Sequence, residues 1–213
     1  MKQKKKVIII GGGFAGIHAA KVLGKSSFDV TLIDKNNYHT FQPLLYQVAT
    51  GGLEPDSIAY PIRRILRTAK NVKFRMAEVL KINTEENSIE TTIGTLHFDY
   101  LIIATGSKNN FFSFEPIKNK LFSLKSVTEA LNIRSYLMQN LEQVLSKGNN
   151  IDAINVAIVG GGPAGIELAG ALAEMKRFVL PKDFPEIDFS KMNIYLFEAA
   201  PRLLSAMSEE SSA

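Results

Sequence analysis

Two stretches of the chain share one succession of apolar runs and helical periods. Val7 to Ile10 is a continuous β-branched run, the pattern of a strand buried on both faces, and a helix is predicted from near Phe14. A second strand, Asp29 to Ile33, follows and ends in Asp34. The same succession returns with a strand at Asn155 to Val159, a helix from about Ala164, and a strand at Ile194 to Phe197 ending in Glu198.

Between these units the pattern changes. Lys35 to Thr40 is a polar connector, and Phe41 to Gly52 fits neither regular period, although its composition favours a helix under the sheet ended by glycine. Asp56 to Thr68 carries Ile58, Ile62, Ile65 and Leu66 on one helical face. Arg63, Arg64, Arg67 and Lys70 fall mostly on the other, solvated face, and Pro61 puts the start of the regular helix near Tyr60. Val72 to Phe98 reads as a β-meander of short strands, Val72 to Phe74, Val79 to Ile82, Ile89 to Ile93 and Leu96 to Phe98, which returns the chain to the sheet at Tyr100 to Ala104.

Asn109 to Lys120, with Pro116, is irregular and marks the expected domain boundary, giving domains of 1–115 and 116–213. Ser126 to Gly148 is a helix: Ser126 and Glu129 form a capping box, Ala130, Ile133, Leu137, Leu141, Val144 and Leu145 an apolar stripe, and Gly148 the stop. A polar loop, Asn149 to Ala153, leads into the second unit. There, Pro181 to Asp188 reads as a loop that lengthens the connection between helix and strand, and the tail from Ser205 is polar and small.

The chemistry lies where strand meets helix. Gly11, Gly13 and Gly16 form G-x-G-x-x-G: the first for a tight bend, the second for close approach of backbone to a pyrophosphate, the third for packing of helix on strand. The helix N-terminus then offers free N–H groups and a positive dipole end to an anion. Asp34, 18 residues after Gly16, suits the two hydroxyls of an adenosine ribose. Gly160, Gly162, Gly165 and Glu198 repeat the device, so the chain is expected to bring two dinucleotides together. Ala104-Thr105-Gly106-Ser107 is a small-residue turn at the carboxyl edge of the sheet, where open α/β sheets bind ligands.

Composition narrows this reading. The 213 residues allow one or two domains, and the absence of cysteine excludes disulfides, thiolate metal sites and a redox dithiol. Four of the basic residues behind the net charge of +4 sit in MKQKKK, best read as a solvated, frayed end. Val7 to Ile10 is too short for the core of a signal peptide, and no apolar run approaches the ~18 residues of a membrane span. His18, His39 and His97 lack metal-ligand spacing, so no metal is expected and each histidine reads as exposed or internally satisfied.

VIIIGGGFAGIHAAKVL, VTLIDKNNYHTFQPLLYQVATGGLEPDSIAYPIR, DYLIIATGS and VAIVGGGPAGIELAGALAE together resemble type II NADH dehydrogenase, the single-chain, non-proton-pumping NADH:quinone oxidoreductase. The resemblance runs from about Val7 to Glu210. The glycine motifs specify only the broad two-dinucleotide flavoprotein group, whereas FQPLLYQVATG and GPAGIELAGALAE are much more specific. It implies an α/β fold of two Rossmann-like units, the second incomplete, in an N-terminal fragment that is inactive alone.

It also implies FAD on the first unit. Gly11, Gly13, Phe14, Ala15 and Gly16 would meet the pyrophosphate, Asp34 and Lys35 the adenosine ribose, and the backbone of Val79 the adenine. Thr105 and Gly106 would lie along the flavin side, and the run from Gln42 to Ala49, with Gln42, Pro43 and Gln47, would border the isoalloxazine. NADH would bind Gly160, Gly162, Pro163, Ala164 and Gly165, with Glu198 on its ribose. Glu167, expected in the first turn of that helix, would take a charge or proton role where nicotinamide, flavin and quinone meet. On the residues alone it reads equally as an acid stabilising a helix N-terminus.

The implied activity passes a hydride from NADH to FAD and electrons on to a membrane quinone. The implied setting is peripheral, on the cytoplasmic side of a membrane, without nucleic acid and with a homodimer as one option. Two alternatives stay open: a flavin reductase with a protein or other acceptor, and a non-enzymatic NADH-binding flavoprotein. Disulfide reductases and sulfide:quinone oxidoreductases need cysteines that this chain lacks.

Overall fold

A computed structural model describes residues 4–147 and 153–212. In chain order its elements are β1 (Lys6–Ile10), α1 (Phe14–Leu23), β2 (Asp29–Asp34), β3 (Tyr38–Thr40), α2 (Leu45–Ala49), β4 (Ala59–Pro61) and α3 (Ile62–Ile65). There follow β5 (Val72–Met76), β6 (Val79–Asn83), β7 (Ser88–Thr91), β8 (Gly94–His97) and β9 (Tyr100–Ile103). Beyond a 3-10 segment come α4 (Val127–Ser146), β10 (Ile154–Val159), α5 (Pro163–Glu174), α6 (Leu180–Asp183) and β11 (Met192–Phe197). The chain divides into two compact units, one running up to Phe41 and resuming over Asp56–Asn110, the other made of Gln42–Pro55 and the residues from Phe111 on.

The first unit holds a parallel sheet ordered β5-β2-β1-β9. Alternation along the strands sends Val7, Ile9, Val30, Leu32 and Phe74 to one face, where they pack with Ile17 and Ala20 of α1 and with Ile62 and Leu66. Ile8, Ile10 and Ile33 fill the other face against Ala77 and Ile89. Burial on both faces explains why β1 is apolar without interruption. The meander is narrower than its sequence suggests. It comprises β6, β7 and β8, antiparallel, while the strand at Val72 pairs with β2 from Val30↔Val72 to Asp34↔Met76 and so joins the parallel sheet.

No helix starts at Tyr60. Tyr60 pairs with His39 in the antiparallel β3–β4 ribbon, so the second half of the polar connector is itself a strand. Pro61 stays extended at φ −58°, ψ 123°, and only one helical turn follows from Ile62. A residue before proline is biased toward extended backbone, and that bias matches the strand made at Tyr60. Arg63 is not merely solvated: its guanidinium lies 5.0 Å from the centre of the Phe74 ring and donates to the Phe74 carbonyl at 3.1 Å.

In the second unit β10 and β11 pair in parallel from Ile154↔Met192 to Val159↔Phe197. Leu137, Leu141 and Val144 of α4 form its core with Ile158, Leu172, Met175, Leu180, Phe184, Ile187, Phe189 and Met192. Ser126 caps α4 by accepting the Glu129 N–H at 3.2 Å, and the Glu129 carboxylate accepts the Lys125 N–H at 2.7 Å and the Ser123 hydroxyl. Gly148, the expected stop, lies outside the described residues, as does most of the loop that follows it. Pro181 to Asp188 is not a plain loop. The helix continues from α5 through a π-helical turn, Met175–Val179, into α6, and Leu180, Phe184 and Ile187 are buried. Pro181 stands in the first turn of α6, directly after the π-helical turn that interrupts the regular α-helical ladder.

A 3-10 turn, Gln42–Leu44, leads into α2, whose Leu45, Val48 and Ala49 are buried. This helix packs against α4 and α5. Residues 42–55 therefore group with the second unit by contact, although a boundary at 115 counts them with the first.

Candidate functional site

At the end of β1, Gly11 turns the chain at φ +106° and donates to the Ile33 carbonyl at 2.8 Å. A Cβ at Gly11 would strike the Ala104 carbonyl, and one at Gly16 would strike the Gly11 carbonyl, so packing within the protein demands both glycines. Gly13 differs. It is the N-cap of α1 with no side-chain cap bond, its φ of −74° suits any residue, and a Cβ there would meet nothing within 4 Å. The space before the helix N-terminus is open, so the turn fits an anionic phosphate brought against backbone N–H groups. Gly13, Phe14 and Ala15 are exposed, while Gly16 is buried.

Asp34 faces this turn. Its Oδ2 accepts the Gly12 N–H at 2.6 Å and its Oδ1 the Asn36 N–H at 2.7 Å. Gly12, the middle glycine, is a site residue that the G-x-G-x-x-G pattern passes over. A Cβ there would stand 2.5 Å from Ile62 Cδ1 and 3.2 Å from Asp34 Oδ2. His39 Nδ1 lies 2.9 Å from the Gly12 carbonyl oxygen, and the Phe14 ring stands edge-on to His39 and Phe41, with centroids at 5.0 and 5.5 Å. Ala104 donates to the Ile10 carbonyl at 2.8 Å, which sets the turn holding Thr105 and Gly106 beside Gly11, both exposed and Gly106 at φ +72°. Lys35 is exposed next to Asp34, and Val79 opens β6, packed against the cluster that includes Ala77 and Ile89.

The second turn repeats the first closely. Gly160 has φ +114° and donates to the Phe197 carbonyl at 2.8 Å, a Cβ at Gly165 would strike the Gly160 carbonyl, and a Cβ at Gly162, the N-cap of α5, would meet nothing within 4 Å. Pro163 takes the first helical position, where its missing N–H costs no bond, and Ala164 beside it is exposed. Glu198 Oε2 accepts the Gly161 N–H at 2.6 Å and Oε1 the Ala200 N–H at 2.8 Å. The bond from Ala200, then that from Gly161, holds the Glu198 carboxyl below the ordinary carboxylate range. Gly161 is again the residue passed over, with Leu203 Cδ2 2.5 Å from where its Cβ would be. The signal was in the sequence: both turns read Gly-Gly-Gly, where the motif asks only for Gly-x-Gly.

Glu167 is exposed and is the fifth residue of α5, whose first turn holds no acid. The expected place in the first turn is corrected, and with it the reading as a helix-terminus stabiliser weakens, because that effect fades within one turn. Gln42, Pro43 and Gln47 all belong to the second unit. Gln42 Nε2 donates to the Lys125 carbonyl at 3.4 Å and Gln47 Nε2 to the Tyr46 hydroxyl at 3.2 Å, while Pro43 is exposed. Among the described residues no cluster of three or more His, Asp or Glu side chains is arranged to hold a metal.

Residues 5–213 match the family model described as pyridine nucleotide-disulphide oxidoreductase. The chain belongs to this family. The disulphide of the family description has no counterpart in a member without cysteine. This family member is 34% identical over 212 residues to the type II NADH:quinone oxidoreductase Ndh of Mycobacterium tuberculosis, covering 96% of this chain and 46% of that protein. The type II NADH:quinone oxidoreductase of Staphylococcus aureus is 29% identical over 214 aligned positions, covering 98% of this chain and 52% of that one. NDH2 from Plasmodium falciparum, solved in complex with NADH, superposes with a TM-score of 0.87 at 30% identity over 99% of this chain and 45% of its own. The chain spans about half the length of these relatives, and the similarity reaches across both glycine turns. No helix of the described residues is long and apolar enough to cross a membrane.

Proposed function

We propose that the two turns are the FAD and NADH sites of a type II NADH:quinone oxidoreductase, with FAD on Gly11 to Gly16 and NADH on Gly160 to Gly165. One observation carries this reading: each turn pairs an open, uncapped helix N-terminus with a carboxylate already aimed at the same loop. A pyrophosphate would meet the N–H groups at Gly13 and Gly162, and the ribose hydroxyls would donate to lone pairs still free on Asp34 and Glu198. The relatives, two named type II NADH:quinone oxidoreductases and an NDH2 solved with NADH, support the same assignment.

In this reading Lys35 flanks the adenosine ribose of FAD, Val79 offers backbone to the adenine, and Thr105 and Gly106 follow the flavin side. Gln42, Pro43 and Gln47 border the isoalloxazine, and Glu167 carries a charge or proton at the reacting end of the second site. The two dinucleotide domains divide near residue 115, with residues 42–55 grouping by contact with the second. Gly11 to Gly16 and Asp34 would hold a flavin that supplies two-electron chemistry, by which NADH, H⁺ and quinone would yield NAD⁺ and quinol. The chain's own part is to bind and orient each dinucleotide. A membrane quinone as acceptor goes with peripheral attachment to the membrane, here assigned to its cytoplasmic side, with a homodimer as one option for the full-length protein.

The test is steady-state turnover of the FAD-loaded full-length protein with NADH or NADPH and a soluble quinone analogue. The Glu198 carboxylate beside the ribose 2′ position repels a 2′-phosphate, so kcat/KM should favour NADH strongly. Equal values for the two cofactors sink the assignment of Glu198. Turnover with a ferredoxin but not with quinone replaces the acceptor.

A further inference from the structure

In each turn the middle glycine's two peptide groups are held from opposite sides. In the first, the Gly12 N–H is taken by Asp34 Oδ2 at 2.6 Å and the Gly12 carbonyl by His39 Nδ1 at 2.9 Å. In the second, the Gly161 N–H is taken by Glu198 Oε2 at 2.6 Å and the Gly161 carbonyl by the backbone N–H of Leu204 at 2.8 Å. Leu204 makes that bond from the left-handed region, at φ +50°, which is uncommon for a branched side chain and costs it backbone energy. Two unrelated donors, an imidazole from β3 and a strained main-chain N–H from beyond β11, thus reach the same carbonyl of the repeated turn.

The geometry points to His39 as a positioning residue that fixes the orientation of the Gly12–Gly13 peptide and thereby the N–H that meets the pyrophosphate. It rests on the reading of the first turn as the FAD site. The carbonyl of Gly12 and the N–H of Gly13 belong to one planar trans peptide and point in opposite directions. Holding the oxygen therefore aims the N–H. The hold is needed because neither flanking residue has a Cβ, so this peptide rotates more freely than one between residues that carry one. The Gly13 N–H donates to no group among the described residues, which leaves it for the ligand. A carbonyl can only accept, so the neutral ring must carry its proton on Nδ1. Edge-on contacts of Phe14 with His39 and with Phe41 brace the ring side.

Two substitutions in the full-length protein separate donor from ring. His39→Asn keeps an N–H donor the same number of bonds from Cα as Nδ1 but removes the ring. His39→Phe keeps a ring against Phe14 and removes the donor. FAD affinity by flavin fluorescence should stay within about two-fold for H39N and weaken about five-fold for H39F, the effect of one neutral hydrogen bond. Melting temperatures in the absence of FAD report whether both variants fold. Independently of any variant, the ¹⁵N resonances of His39 should show Nδ1 protonated and Nε2 free. An unprotonated Nδ1, wild-type affinity in H39F, or equal losses in the two variants would overturn the positioning role. Failure of the wild-type protein to bind FAD would instead overturn the assignment of the turn, and the positioning role with it.

Discussion

Gly13 and Gly16 stand three residues apart in one motif, yet substitution at the two should fail in opposite ways. A Cβ at Gly16 enters the Gly11 carbonyl, a backbone group that cannot retreat because Gly11 is itself packed against the Ala104 carbonyl. Overpacking a core costs about 1–3 kcal/mol when side chains can yield. Backbone against backbone removes that relief, so Gly16→Ala should cost about 3 kcal/mol or more, a fall in melting temperature of about 6–12 °C for a chain of this size. Gly13→Val meets nothing within 4 Å and needs no unusual dihedral. Its gain of about 0.4–1 kcal/mol from a less flexible unfolded chain offsets the loss of glycine as an N-cap, and the net should stay within about 1 kcal/mol. Its branched side chain, however, occupies the space where a phosphate would approach the helix N-terminus, so flavin should be lost. Thermal unfolding without ligand, followed by flavin absorbance after loading and desalting, reads both effects. A Gly13→Val protein that melts as early as Gly16→Ala, or that stays yellow, refutes the division of roles, as does a Gly16→Ala protein of wild-type stability.

Two further outcomes follow. Glu198, Asp188 and Asp99 sit below the ordinary carboxylate range, held respectively by the Ala200 and Gly161 N–H groups, by Ser190, and by Lys5 with the Lys6 N–H. For Glu129, burial pushes upward but the Ser123 hydroxyl and the Lys125 N–H outweigh it, and the net is again downward. Groups with depressed folded values lend stability that is complete above the unfolded values and is lost as pH falls through the folded ones, so urea midpoints should hold between about pH 7 and 5 and drop below about pH 4; a midpoint that rises on acidification contradicts these hydrogen bonds. Glu167→Gln should leave the melting temperature unchanged, since Glu167 is exposed and past the first turn, while slowing quinone reduction in stopped flow with NADH affinity intact; unchanged rates in both half-reactions remove the proposed role.

What the sequence discloses here is what local pattern alone can encode. The β1 run is legible because burial on both faces leaves no polar position, and α4 because Leu137, Leu141 and Val144 keep helical spacing behind a serine cap. The β3–β4 ribbon is not legible, since its three-residue strands are held by pairing between Tyr38–Thr40 and Ala59–Pro61, partners distant in sequence. Pro181 and Pro185 hide the helical spacing of Leu180, Phe184 and Ile187, and the chain reads as a loop where it buries a core. At the site, Gly11 and Gly16 follow from the motif, whereas the bond from His39 to the Gly12 carbonyl spans 27 residues and leaves no periodic trace.

The two acids show why motif and fold are hard to separate. With one oxygen on the loop's middle glycine and the other on the N–H two residues ahead, Asp34 and Glu198 shape the turn before any ribose arrives. An amide cannot replace them neutrally, because its NH₂ would face one of those two backbone donors and leave it unsatisfied. Each carboxylate still has lone pairs to spare, and those alone are available to a ligand. An Asp34→Asn or Glu198→Gln protein therefore loses loop geometry and ligand contact together, while a 2′-deoxyribose analogue offered to the unaltered protein removes one ligand contact and leaves the loop untouched. Only that comparison separates the acid's work for the fold from its work for the cofactor.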